Sequence, residues 1–159
     1  MKEVRRITVK RNAVYGNEHE ACIDTLRIEA GAIRYEHKPV FYSEKDQSAR
    51  KWEYITNSPE FEALFRSAAA EAEAILAGED PGSEKNIGDI SFTVTYTNRT
   101  RRTRTFFLTA RAFPAFFAAV RKMVPKCEEV FMLRDALALQ LRPEDEAKAK
   151  KPRPGREKE

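Results

Sequence analysis

Early in the chain, Cys22, Asp24 and His37 have the side-chain types to do chemistry together. Cys22 to Glu29 and Ile33 to Lys38 read as two strands around Ala30-Gly31. A two-residue turn there sets Ile28 opposite Ile33 and Leu26 opposite Tyr35, with the apolar residues sharing one face. The same register sets Asp24 opposite His37, with Cys22 one pair further along. A carboxylate that orients an imidazole near a thiol is the raw material of nucleophilic or acid–base catalysis. The plainer reading is a cross-strand hydrogen-bonded pair at the end of a sheet. No oxyanion-hole loop is apparent, so no catalytic residue is assigned and the chain is expected not to be an enzyme.

Other chemistry is sparser. His19 and His37 cannot build a three-histidine zinc site, and His19-Glu20 with Asp24 makes only a poor donor set, so no metal is expected. Cys22 and Cys127 form no C-x-x-C pair, which argues against a zinc knuckle, a redox dithiol or a disulfide scaffold; reduced cytoplasmic thiols are expected. The glycines at 16, 31, 78, 82, 88 and 155 are isolated and none precedes Lys-Ser or Lys-Thr, so there is no phosphate loop and no cofactor is expected.

Arg99, Arg101, Arg102 and Arg104 lie within six residues with no acid among them, flanked by Thr97, Thr100, Thr103 and Thr105. Such a hairpin tip can hold phosphates or an acidic partner through paired N–H donors and hydroxyls. Lys148, Lys150 and Lys151, with Arg153, Arg156 and Lys158, form a second basic group near the C-terminus. Against a polyanion stand Glu60, Glu62, Glu71, Glu73, Glu79 and Asp80 and a formal net charge of only +4. A solvated hairpin and a solubilising tail explain the same arginines and lysines, and arginine on an exposed strand also discourages edge-to-edge aggregation.

The elements that must carry these residues follow from patterning. Ile7 and Val9 alternate with Thr8 and Lys10 in a first strand over Arg5 to Arg11. A fourth strand runs over Lys51 to Thr56. Ser58-Pro59-Glu60 opens a helix through hydroxyl cap, proline and acid, and Phe61, Leu64, Phe65, Ala68, Ala72, Ile75 and Leu76 make its apolar stripe up to Gly78. Ile90, Phe92, Val94 and Tyr96 alternate with Ser91, Thr93, Thr95 and Thr97 in the clearest strand, which returns over Thr103 to Thr109 after a loop at Asn98 to Arg102. A second helix carries Phe113, Phe116, Phe117, Val120, Met123 and Val124 and ends at Pro125. Residues 127–141 fit a helix or a strand, and helix is the reading taken.

Ile, Leu, Val and Phe supply 34 of the 159 residues, none beyond Leu141. That is enough for one core, so residues 1–141 are expected to form one α+β domain and 142–159 a disordered basic tail. No apolar run is long enough for a secretory signal or a membrane span, and a cytoplasmic protein without a membrane partner is expected. The pattern also repeats: Phe61, Leu64 and Phe65 match Phe113, Phe116 and Phe117, and Tyr54 and Phe106 each lie seven residues before the matching helix aromatic. The fold expected is an antiparallel sheet of five or six strands with two main helices on one face; the echo suggests a β-β-α unit used twice, although any amphipathic helix shows such triplets.

Arg50-Lys51-Trp52 with Thr56-Asn57-Ser58-Pro59, and Val120-Arg121-Lys122-Met123-Val124-Pro125 with Cys127-Glu128, resemble stretches of small uncharacterised bacterial proteins of similar length. The resemblance covers roughly residues 22 to 133 and implies one folded domain, with no activity to carry over. The function expected is a non-catalytic protein-binding or adaptor domain. Nucleic acid, held by the arginine hairpin and the tail, is the alternative partner.

Overall fold

The computed structural model describes residues 3–13, 22–39, 50–84, 88–128, 130, 132, 133 and 136. His19, the basic tail with Lys148, Lys150 and Lys151, and Leu137, Leu139 and Leu141 lie outside the described residues. Six strands form one antiparallel sheet: β1 (Val4–Ala13), β2 (Cys22–Glu29), β3 (Ala32–Pro39), β4 (Arg50–Ile55), β5 (Asp89–Tyr96) and β6 (Arg101–Phe106), in the spatial order β4-β3-β2-β1-β5-β6. Two helices, α1 (Pro59–Ala77) and α2 (Pro114–Arg121), pack on one face. The α+β class with a single antiparallel sheet is therefore as the patterning predicts.

Alternation places the layers. Ile7, Val9, Leu26, Ile28, Ile33, Tyr35, Ile90, Phe92 and Val94 all point to the helical side and are buried. Phe61, Phe65, Ala68 and Ala72 from α1, and Phe116, Phe117 and Val120 from α2, close the core over them. Ser58 caps α1 by accepting from the Phe61 N–H at 3.2 Å, with Pro59 where no donor is needed. The Ser58 hydroxyl also donates to Glu60 at 2.7 Å and holds that carboxyl below its ordinary range. Met132, Leu133 and Ala136 are helical and buried, in keeping with a helix in that segment.

Two boundaries move. The returning strand expected over Thr103–Thr109 runs over Arg101–Phe106, because the connection is tighter than expected. Arg99 takes a left-handed conformation (φ 70°), the Asn98 side chain accepts from the Thr100 N–H at 3.0 Å, and Tyr96 N–H donates to the Thr100 carbonyl at 2.8 Å. Arg101 and Arg102 therefore belong to the strand and not to the loop. Beyond it, a short 3-10 turn at Ala110–Ala112 precedes α2, which stops at Arg121 while Met123 and Val124 are buried outside it. Val124 precedes Pro125, whose ring disfavours a helical conformation there.

The repeated outline is legible in the register. The strand order reads alike from both edges: an edge strand, its hairpin partner, then a central strand. Because β1 and β2 are antiparallel with Val9 opposite Leu26, a half-turn normal to the sheet between that pair exchanges β2 with β1, β3 with β5 and β4 with β6. It sets Tyr35 on Phe92, Ile33 on Ile90 and Tyr54 on Phe106. The aromatic that opens each helix then makes the same contact twice: Tyr54 with Phe61 at 5.9 Å between ring centroids, and Phe106 with Phe113 at 4.9 Å.

Candidate functional site

At one end of the helical side of the sheet, the register aligns Arg11, Asp24, His37 and Arg50 in a single row across β1 to β4. Asp24 is completely buried, the only buried charged residue among those described. Its Oδ1 lies 2.5 Å from His37 Nδ1 and accepts from the Tyr35 hydroxyl at 3.2 Å. Its Oδ2 is 2.8 Å from Arg11 Nη2. Cys22, two residues away on the same face, places Sγ 4.0 Å from Oδ2 and accepts from Arg11 Nη2 at 3.5 Å. The pairing of Asp24 with His37 and the nearness of Cys22 are as the hairpin register predicts. Arg11 and Tyr35 are the members sequence reasoning missed as participants. For Arg11 the signal lay in the alternation of the first strand, which puts it on the face of Ile7 and Val9.

A buried carboxylate with a guanidinium, a hydroxyl and an imidazole is expensive to desolvate, and well-packed aliphatic side chains of similar volume usually serve stability as well or better. The molecule contains that comparison. Under the half-turn, Asp24 falls on Ile7, His37 on Val94, Arg11 on Ile28 and Tyr35 on Phe92. The matching positions carry Ile7, Ile28 and Val94, all fully buried, and the row ends in Arg102 at the place of Arg50. The sheet therefore builds the positions of Asp24, His37 and Arg11 with aliphatic side chains, and the Asp24 centre exceeds what the fold requires.

The arginine group is not one cluster. Arg102 and Arg104 stand opposite Val94 and Phe92 and share the helical side, whereas Arg101 stands opposite Thr95 and faces the other way. Arg99 sits in the turn. Arg104 is a structural residue: Nη1 donates to the carbonyls of Ile75 at 3.2 Å and Gly78 at 2.5 Å, and the guanidinium lies 4.7 Å from the centroid of the Phe106 ring. The last turn of α1 carries no basic residue of its own, and Gly78 is extended rather than left-handed, so the end of the helix lacks the usual local cap. Arg104 supplies that cap from across the sheet. Replacing it with Met should keep the contact with the ring yet lower stability by about 1–2 kcal/mol, measured by urea unfolding, whereas Arg102→Met should be close to neutral.

The face away from the helices is mostly polar, with Ile55 its one large exposed hydrophobic among the described residues. Over β2 to β4 it carries Arg27, Arg34, Glu29, Glu36, Lys51 and Glu53, tied by Arg34 to Glu29 and Glu53 at 3.0 Å each. Several of these line a shallow groove of about 420 Å³ together with Thr25. Over β1, β5 and β6 the same face presents Thr8, Lys10, Ser91, Thr93, Thr95, Arg101, Thr103 and Thr105, with a hydroxyl pair between Thr93 and Thr103 at 2.9 Å. Among the described residues no helix is long and apolar enough to cross a membrane.

No protein-family model matches the chain, and no curated protein matches it.

Proposed function

We propose that this protein is a non-catalytic, cytoplasmic protein-binding or adaptor module that meets its partner on the face of the sheet away from the helices. The observation that supports this reading is the groove over β2 to β4, where charges of both signs alternate around Thr25. A surface carrying both signs in a set order suits a partner whose charges are likewise fixed in order, which is a protein segment. Arg27 and Lys51 line this groove and make no ion pair among the described residues, so their donors are open to a partner. A polyanion would meet Glu29, Glu36 and Glu53 on the same ground.

The test is recovery of a protein partner by the immobilised full chain from the extract of its own source. Arg27→Glu should weaken recovery roughly tenfold, about 1.4 kcal/mol. Arg102→Glu, on the helical side, should leave it unchanged and serves as the control for basicity alone. Equal recovery by wild type and Arg27→Glu would remove the groove from contention.

A second reading has its own observation. The half of the face built by β1, β5 and β6 is rich in hydroxyls and carries Lys10 and Arg101 against Asp89, with Arg6 paired to Glu29 at 3.6 Å on its border. Such a strip could lie along nucleic-acid phosphates. It requires that labelled DNA or RNA bind with an affinity that falls as salt rises, by roughly 0.7–0.9 log–log units per phosphate neutralised. Arg101→Glu should then flatten the slope and Arg102→Glu should not.

A further inference from the structure

We infer that Cys22, Asp24 and His37 form a binding site for one divalent transition-metal ion, with zinc the best match to a thiolate, carboxylate and imidazole donor set. The observation behind it is spatial. Cys22 Sγ, a carboxylate oxygen of Asp24 and a ring nitrogen of His37 all lie within 4.8 Å of one another. Two atoms bound to a tetrahedral zinc at roughly 2.0–2.3 Å stand about 3.3–3.7 Å apart. The Cys22–Asp24 separation of 4.0 Å is near that range, and the Asp24–His37 contact of 2.5 Å must open. Small side-chain rotations on two rigid, paired strands suffice for both.

Sequence reasoning led to the opposite expectation, because His19 and His37 cannot build a three-histidine site and His19-Glu20 with Asp24 is a poor donor set. The sheet changes the count: residues two apart on one strand and a residue opposite on the next converge on one point, with no local motif to announce it. A second observation separates a ligand site from a polar pair that only satisfies itself. The half-turn that relates the two halves of the sheet lays Ile7 and Val94 on Asp24 and His37. Counting the bulge at Arg5, Cys22 with its neighbour Pro39 falls on Val4 with its neighbour Tyr96, and Val4 is buried. Each proposed ligand thus has an apolar counterpart in a half that folds without it. A fold that buries a carboxylate, an imidazole and a thiol where aliphatic side chains suffice accepts a desolvation cost for which structure alone gives no reason.

Arg11 and Tyr35 complete the picture. Both bond the Asp24 carboxylate, Tyr35 through Oδ1 and Arg11 through Oδ2, and so orient that ligand, as outer partners of metal-bound carboxylates do. The Arg11 guanidinium also offsets the negative charge of two anionic ligands around a doubly charged ion. Binding releases the Cys22 thiol proton to the buffer. Three protein donors leave the fourth tetrahedral position to water or to a further ligand.

The experiment is titration of the reduced full chain with Co²⁺, used as the probe because tetrahedral thiolate ligation gives visible d–d bands and a near-ultraviolet charge-transfer band. The expected result is saturation at one equivalent, displacement of the colour by Zn²⁺, loss of the charge-transfer band in Cys22→Ser and its retention in Cys127→Ser. Tyr35→Phe keeps all three ligands and should weaken affinity roughly 10–100-fold. Wild-type protein that shows no such bands overturns the proposal without reference to any variant. Bands that survive Cys22→Ser and vanish in Cys127→Ser also overturn it, since they would place the ion on the exposed thiol beside Glu128.

Discussion

Asp24→Ala should destabilise the protein by about 3–5 kcal/mol in urea or thermal unfolding, the largest effect expected of any polar substitution in the chain. The carboxylate is completely buried and accepts from Arg11 and Tyr35 while touching His37. Its removal takes from a largely buried guanidinium and a buried hydroxyl the carboxylate they share, and deleting one partner of a buried ion pair costs far more than the pair contributes when intact. The internal comparison makes the prediction sharper. Converting the centre to the side chains of the other half, by Asp24→Ile, His37→Val, Arg11→Ile and Tyr35→Phe together, should restore most of the loss and could exceed wild type by about 1–4 kcal/mol. A quadruple variant no more stable than Asp24→Ala would show that the two sets of positions are not interchangeable and that the polar centre is required by the fold. Circular dichroism of both variants, with equal unfolding slopes, checks that the same fold is being compared.

Phe92→Ala should cost about 3–5 kcal/mol, and Phe107→Ala within about 0.5 kcal/mol of nothing. The two phenylalanines differ only in place. Phe92 is fully buried in the centre of the helical face, with ring centroids of Phe113 at 4.8 Å, Phe116 at 5.3 Å and Phe106 at 6.1 Å, most of them edge to face. Truncating it leaves a cavity walled by three aromatic rings that cannot collapse without breaking their own contacts. Phe107 is 56% exposed just past the end of β6. Phe92→Leu, which fills most of the volume, should recover more than half of the loss; equal losses for Leu and Ala would mean that ring geometry rather than volume holds this cluster.

How much of this the residues announced depended on whether the information was local. The Ile28–Ile33 and Leu26–Tyr35 register followed from a two-residue turn and a shared apolar face, and Asp24 beside His37 came with it. The start of α1 was likewise local: Ser58 and Pro59 each act within a turn of where they stand, whereas Gly78 ends the helix in an extended conformation without capping it. What failed was information carried across the sheet. Arg104 reads as one more arginine of a basic hairpin until β6 is laid against the end of α1. Arg101 and Arg102 read as neighbours until the tight turn at Arg99 puts them on a strand, where successive side chains point to opposite faces. The repeat was visible only between Tyr54 and Phe61 and between Phe106 and Phe113. The connections inside the two β-β units differ too much in length for Tyr35 and Phe92 to be aligned by eye.

Of the six strands, the one made first is also flanked last. β1 is synthesised before the other five, yet it lies near the middle of the sheet, paired on one side to β2 and on the other to β5, with Val9 opposite Phe92. At typical synthesis rates, on the order of ten seconds separates those two residues. During that interval β1 to β4 can pair and α1 can form, but one flank of β1 holds a row of unanswered N–H and C=O groups beside Ile7 and Val9. The nascent chain thus carries an open edge in its own core for as long as β5 is unmade, and the long reach between the two strands places the slow step of folding at that closure.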